Sequence, residues 1–207
     1  MKKATIIGGL FIALSVSGVS FAQQSRDSRP GSAAASMNID DLTRKNKEGG
    51  AAVAAVRASS SPLSTADKDL MMRVAMGGMQ QLEISRIAVQ KASSENVRKL
   101  AQLEVEEQTG LSNKLKEIAA AKGITLPTSP DAGTQAMIER MQGMSGADFD
   151  RNYVQKSGVE GHEKLDSVMS TVHSSAQDAS LKSLASAAHP LVKAHLQASR
   201  DMLKTMQ

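Results

Sequence analysis

Residues 94–118 read SENVRKLAQLEVEEQTGLSNKLKEI, and their apolar side chains recur every three or four positions. This spacing places them on one face of a helix. Ser93 or Ser94 caps the start of this helix, and Gly123 is placed to end it. The inward row also holds polar residues; it reads Val97, Leu100, Ala101, Glu104, Gln108, Leu111, Leu115 and Ile118. A carboxylate on such a row is costly to bury unless another group satisfies it.

The same helical spacing recurs in three further long segments after residue 62. One begins at Ser64, which forms a capping box with Asp67. The other two cover about 145–174 and about 178–204, and a short helix precedes them at about 131–142. No segment alternates apolar and polar residues as a strand would. We therefore predict an all-α fold, in which four long antiparallel helices form a four-helix bundle over residues 63–207.

The first 22 residues have the features of a secretory signal peptide. Lys2 and Lys3 precede a short apolar run, and Ser20 and Ala22 supply the small residues of a cleavage site. The run is shorter than the roughly 20 apolar residues that a membrane span needs. The chain has no cysteine, which excludes disulfides and lipid attachment at an N-terminal cysteine. We expect a periplasmic or secreted protein without a transmembrane span after cleavage.

Residues 23–62 are rich in small and polar side chains, so we predict a flexible low-complexity tether, with partial helical character at 39–57. Lys2 and Lys3 are two of the 25 basic residues, so the mature chain carries 23 basic against 21 acidic ones. A nucleic-acid partner would need a concentrated basic face with stacking aromatics. The mature chain has only Phe149 and Tyr153 as aromatics, and we exclude nucleic acid as a partner.

Four segments of the sequence resemble a known family. They are Asp67–Leu70 leading into Gly77–Glu83, Lys122–Pro127, Ser145–Tyr153 and Leu191–Leu196. Together they resemble the bacterial family of exported, ferritin-like four-helix-bundle proteins catalogued as a domain of unknown function. The resemblance covers about residues 63–206. It implies a ferritin-like bundle, with the short extra helix between the second and third long helices, in the periplasm or at the cell envelope. It implies no particular reaction.

Members of that family typically carry an acidic residue next to a histidine on the second helix, another such pair on the third, and one histidine on the fourth. Here Glu107 is followed by Gln108, so the second helix keeps the acid and lacks the histidine. On the third helix His162 is present, but Gly161 precedes it. His195 matches the histidine of the fourth helix. The resemblance therefore implies a site to which the second helix contributes less.

Acidic and imidazole side chains on different helices suggest one interior metal site. The candidate ligands are Glu83, Glu107, His162 and His195. Two oxygens and two nitrogens suit Zn²⁺ or another first-row divalent ion such as Fe²⁺ at a mononuclear site. A di-iron bundle would need Glu-x-x-His on two helices. Valines at 159 and 192 stand three residues before the two histidines, so that pattern is absent.

A second interpretation needs no metal. Glu83, Gln108, His162 and His195 would then hydrogen-bond to one another or to buried water, and Glu107 would lie on a solvated face. On this basis our leading hypothesis is a non-enzymatic binding or stress-related protein of the cell envelope. The alternatives are a periplasmic metal-storage or metal-sensing protein, and an interaction module that uses its basic tether. Two kinds of partner remain possible at this point: the cell envelope, and further copies of this chain in a homo-oligomer.

Overall fold

The computed structural model describes residues 37–206, and within that range the regular structure is entirely helical. The helices are α1 (Ile39–Ala54), α2 (Thr65–Lys91), α3 (Glu95–Ala121), α4 (Ala132–Gln142), α5 (Gly146–Tyr153), α6 (His162–Ser175) and α7 (Ala179–Lys204), with a π-helical segment (Val154–Gly161) between α5 and α6. No strand occurs between residues 37 and 206, which confirms the all-α prediction there. The predicted signal peptide and residues 23–36 of the predicted tether lie outside the described residues.

Two helical hairpins pack against each other through α2, α3, α6 and α7. The turn between α2 and α3 is held by Asp150, whose carboxylate accepts from the backbone N–H groups of Ser93 and Ser94 at 2.9 and 2.7 Å. The turn between α6 and α7 is held by Asp67, whose carboxylate accepts from two backbone N–H groups of that turn. Each turn is thus held by a carboxylate from a helix outside its own hairpin. These contacts fix the position of one hairpin relative to the other along the bundle axis.

The third long segment is continuous from α5 through the π-helical segment into α6, as the sequence predicts apart from the π turns. Two of its glycines lie where a neighbouring helix approaches closely. A Cβ atom at Gly158 would come within 2.6 Å of Oγ of Ser199. π turns widen a helix by one residue and recur at functional sites. The π-helical segment ends at Gly161, directly before His162.

Residues 39–54, for which the sequence predicts partial helical character, form the complete helix α1; it packs against α3 and α7, so the structure differs there from the predicted flexible tether. Asn38 caps α1 by accepting from the backbone N–H of Asp41, and Leu42 is fully buried. Gly49 lies against Leu191, whose Cδ2 would be 2.9 Å from an added Cβ. The segment has few large apolar side chains because small residues let α7 approach closely. Low apolar content was therefore a misleading sign of flexibility.

Two apolar clusters form the core. One contains Met71, Val74, Leu111, Leu115, Leu165, Met169, Leu184 and Val192, and the other contains Ile84, Ala88, Leu100, Phe149, Tyr153, Val154 and Ala198. Along each long helix, buried polar residues lie between the two sets. Among the described residues, no helix is long and apolar enough to cross a membrane.

Candidate metal centre

A layer of buried acidic and imidazole side chains separates the two apolar clusters. Glu104 and Glu107 come from α3, His162 begins α6, and His195 comes from α7. One ligand atom of each residue lies within 4.8 Å of those of the other three. Both imidazoles are 0% exposed and both carboxylate side chains 2% exposed. The spacing of three residues places the two glutamates on one face of α3, so both reach the same point.

Oε2 of Glu104 lies at the centre of this group, 3.0 Å from Nε2 of His162 and 2.9 Å from Nδ1 of His195. Oε2 of Glu107 is 3.3 Å from Nε2 of His195. The two imidazole rings are nearly parallel, with centroids 5.5 Å apart. These distances are short, yet Nε2 of His162, Nδ1 of His195 and both carboxylate oxygens of Glu107 have no aligned hydrogen-bond partner. The ligand atoms therefore lie close together without aligned hydrogen bonds from the imidazoles to the carboxylates.

Buried polar atoms without partners destabilise a folded protein, and most native structures avoid them. Here they include both oxygens of the Glu107 carboxylate and one nitrogen of each imidazole, all directed at one region of the core. With neutral imidazoles the four side chains carry a net charge of −2, which one divalent cation would neutralise. Two nitrogens and carboxylate oxygens are donors that Zn²⁺ and other first-row divalent ions accept. The group could therefore hold a metal ion.

The outer nitrogen of each imidazole contacts an oxygen that can accept its proton. Nδ1 of His162 lies 3.2 Å from the backbone carbonyl of Ser157, and Nε2 of His195 lies 3.0 Å from Oδ1 of Asn46. An N–H donated outward leaves the inner nitrogen with its lone pair directed at the carboxylates. Metal-bound histidines are oriented by the same kind of outer contact. Sequence analysis did not identify Asn46, which lies within the predicted tether.

A buried glutamine on α2 packs beside His162. Nε2 of Gln81 lies 3.1 Å from Nδ1 of His162 and donates to the carbonyl of Ser157 at 2.9 Å. Its Oε1 accepts from Oγ of Ser157 at 3.0 Å. A Cβ atom at Gly161 would lie only 2.5 Å from Oε1 of Gln81. A glycine therefore precedes His162 because the Gln81 amide occupies the space of a side chain.

Gln108, the residue in place of the expected second-helix histidine, is fully buried beside the group. Its Nε2 donates to Oε1 of Glu104 at 3.3 Å, and its own Oε1 has no partner. Gly78 on α2 makes room for this amide, since an added Cβ would lie 3.1 Å from Oε1. The neighbouring Gly77 makes room for another side chain, since an added Cβ there would lie 2.8 Å from Cδ2 of Leu165.

The electrostatics of the group couple all four residues. Burial raises the pKa of Glu104, but the neighbouring charges of His162 and His195 lower it by more, and the net pKa lies below the ordinary value. Burial lowers the pKa of His162, but Glu104 and Glu107 raise it well above the ordinary value. The pKa of His195 is also raised, because Glu107 and Glu104 outweigh its burial. Protons and a divalent cation therefore compete for the same buried negative charge.

Of the four predicted ligands, the structure brings together Glu107, His162 and His195. Glu83 is not among them, because its side chain is 36% exposed and pairs with Arg86 at 2.7 Å. Glu104 takes its place in the group. The helical pattern placed Glu104 on the inward row, but we did not predict it as a ligand. The alternative that Glu107 lies on a solvated face is wrong, since its side chain is buried.

A family model described as a domain of unknown function, DUF4142, matches residues 52–202. The chain belongs to this family. All four residues of the acidic and imidazole group of this DUF4142 protein lie inside the matched range, whereas Asn46 precedes it. Comparisons with curated proteins and with solved structures gave no match. Any functional assignment must therefore come from the geometry of the group.

Proposed function

We propose that this DUF4142 protein binds one divalent metal ion through Glu104, Glu107, His162 and His195. The observation that carries the proposal is the convergence of four buried side chains, whose ligand atoms lie within 4.8 Å of one another and of which Glu107, His162 and His195 each present an atom without an aligned hydrogen-bond partner. Two imidazole nitrogens favour a first-row transition ion over Mg²⁺ or Ca²⁺, which take oxygen ligands. Zn²⁺ is the first candidate ion and Fe²⁺ the second.

We further propose that the protein is exported and holds its ion in the periplasm or outside the cell, as a storage or sensing protein. The signal-peptide pattern of residues 1–22 supports export. A ferritin-like bundle would consist of α2, α3, the α5–α6 segment and α7, with α4 as the short extra helix. The contacts of α2 with α3 and of α6 with α7 support this arrangement. An ion bound between α3, α6 and α7 would link the two hairpins.

Elemental analysis of the protein purified without an affinity tag tests the metal proposal. We expect the protein as purified to hold up to one ion per chain. After incubation with Zn²⁺ and removal of the unbound Zn²⁺, every chain should hold one ion. His162→Ala and His195→Ala should each abolish tight binding, because each removes a donor that no neighbour can replace. Glu83→Gln is the matched control, since Glu83 lies outside the group. The proposal fails if the unmodified protein holds none of the tested divalent ions and its metal content equals that of His195→Ala.

A polar core without a metal is the second candidate, and the short distances from Glu104 to both imidazoles favour it. In that case two protons would neutralise the group. Removing one partner of a buried ion pair leaves an uncompensated charge, so His195→Leu should lower the melting temperature with or without a metal. The metal-free core predicts that a chelator leaves the melting temperature of the unmodified protein unchanged. The metal site predicts a lower melting temperature once a chelator has removed the ion.

A further inference from the structure

A cavity of about 390 Å³ lies between α1, α3 and α7 and leads to the acidic and imidazole group. Its lining passes from exposed residues, among them Lys47 and Glu106, to the buried Asn46 and Glu107. Glu107 is one of the four proposed ligands, and both of its carboxylate oxygens lack a hydrogen-bond partner. The cavity therefore extends from the protein surface to Glu107, one of the four proposed ligands.

We propose that a divalent cation enters and leaves the site through this cavity, taken first by Glu106 and then by Glu107. The proposal rests on the proposed metal site. A fully buried metal site needs an entry path. A larger cavity of about 510 Å³ lies against α2 and α3, but none of the four ligands lines it. The cavity beside α1 opens directly onto Glu107.

The charges along the cavity suit a cation. Glu106 lies in the outer, exposed part, where its Oε2 accepts from Nδ2 of Asn46 at 3.2 Å. Glu107 follows one residue later in the buried part, so two carboxylates line the way in and one lysine, Lys47, opposes them. A cleft with an excess of negative charge concentrates cations and raises their association rate. Glu106 thereby acts as an outer capture residue rather than as a ligand.

Two glycines allow the cavity to be narrowed without disturbing the site. Gly50 and Gly110 line it, and an added Cβ at either would have no heavy atom within 4 Å. Leucine at these positions therefore extends into open space. Two controls receive the same side chain elsewhere: Ala51→Leu on the exposed surface of α1, and Ser112→Leu in the larger cavity.

The test measures Zn²⁺ uptake in a stopped-flow instrument and Zn²⁺ release to an excess of chelator. Gly110→Leu and Gly50→Leu should slow both rates by a similar factor, about tenfold for each 1.4 kcal/mol of added barrier, with Kd unchanged. Glu106→Gln should slow uptake at low ionic strength and have less effect at high ionic strength. Ala51→Leu and Ser112→Leu should exchange Zn²⁺ at the rates of the unmodified protein.

The inference fails if Zn²⁺ binds but exchanges at unchanged rates in both glycine variants, or if Ser112→Leu alone slows exchange. Glu106→Gln adds no bulk, so it tests the route even where a leucine variant fails to fold. If the unmodified protein binds no Zn²⁺ at equilibrium, the proposed metal site fails. Equilibrium binding thus tests the metal site, and exchange rates test the route.

Discussion

Nε2 of His195 lies 3.0 Å from Oδ1 of Asn46, although 149 positions separate the two residues in the chain. The same amide donates from Nδ2 to the backbone carbonyl of Leu103 and to Oε2 of Glu106, both at 3.2 Å. One buried side chain thus attaches α1 to α3 and orients an imidazole of α7. It does so from outside residues 52–202, the range that the family model matches.

Replacing Asn46 should therefore weaken both the fold and the site. Asn46→Leu removes the acceptor for the His195 N–H and leaves the Leu103 carbonyl without its partner. We expect Zn²⁺ affinity to fall by about 10- to 100-fold, as for other residues that orient metal-bound histidines. The free energy of unfolding of the metal-free protein should fall by about 1–3 kcal/mol. A competition titration with a chromophoric chelator and a urea titration measure these two quantities.

Asn46→Asp is the matched control, because it keeps an oxygen that accepts from Nε2 of His195. Its Zn²⁺ affinity should stay much closer to that of the unmodified protein than the affinity of Asn46→Leu. Equal losses in the two variants would show that the contact does not orient the imidazole. An unchanged Zn²⁺ affinity in Asn46→Leu would likewise show that Asn46 does not orient the His195 imidazole.

The pKa shifts predict that metal binding releases protons. The pKa values of His162 and His195 lie above the ordinary value of 6.5, so a cation must displace protons from both rings. Affinity should rise with pH through the raised histidine pKa values and level off above them. Calorimetric titrations in buffers of different ionisation enthalpy measure the protons released. Binding without proton release would contradict this prediction.

The same shifts set the stability of the metal-free protein. A raised histidine pKa contributes stability that is complete below 6.5 and is lost as pH rises through the folded-state pKa. The lowered pKa of Glu104 contributes stability that is complete above 4.5 and is lost as pH falls through its folded-state value. The increase in melting temperature caused by Zn²⁺ should therefore grow as pH rises from 6.5 through the raised folded-state pKa values of the two histidines.

A variant outside the group provides the control for this pH dependence. His189 pairs with Asp166 at 2.7 Å and belongs to none of the four proposed ligands. His189→Gln should leave the pH dependence of the Zn²⁺ effect unchanged, whereas His162→Gln should remove the Zn²⁺ effect itself at every pH. A Zn²⁺ effect that is constant with pH in the unmodified protein would contradict the assigned coupling.

Two glycine variants separate a steric requirement from a helix-propensity effect. Gly161→Ala places a Cβ atom 2.5 Å from Oε1 of Gln81 and displaces the amide that contacts His162. We expect the free energy of unfolding to fall by about 1–3 kcal/mol, as in other overpacked cores. Gly110→Ala meets open space and should raise it by up to about 1 kcal/mol. Chemical denaturation compares the two, and equal effects would contradict the role of Gly161.

Helical periodicity predicted much of this site, because the inward row of α3 already contained Glu104 and Gln108. The histidines of α6 and α7 followed from the same spacing and from the family resemblance. The prediction that Glu83 faces the interior site was wrong, because successive residues on a helix point in directions about 100° apart. Gln81 and Ile84 point inward on α2, which leaves Glu83 on the outer side.

Two features were not predicted from the sequence: the π turns and the packing of α1 into the core. The π turns of Val154–Gly161 add a residue to the helical turn, so a period of 3.6 cannot give the relative direction of residues before and after them. The packing of α1, which lies within the predicted tether, depends on small residues. Gly49 fits against Leu191 through close approach rather than through apolar bulk, and hydrophobic periodicity does not register that kind of contact.

Gln108→His should tighten metal binding. Gln108 is fully buried, lies four residues after Glu104 on the same face of α3, and has an Oε1 atom without a partner. An imidazole at this position would add a nitrogen donor to the two already present, and an added bond of about 1.4 kcal/mol lowers Kd about tenfold. Competition titration measures Kd, and the visible absorption of bound Co²⁺ reports the added nitrogen. Gln108→Leu, which keeps the bulk without a donor, should instead weaken binding because Glu104 loses its hydrogen bond. A folded Gln108→His variant that binds Zn²⁺ no more tightly than Gln108→Leu would place the ion beyond the reach of position 108.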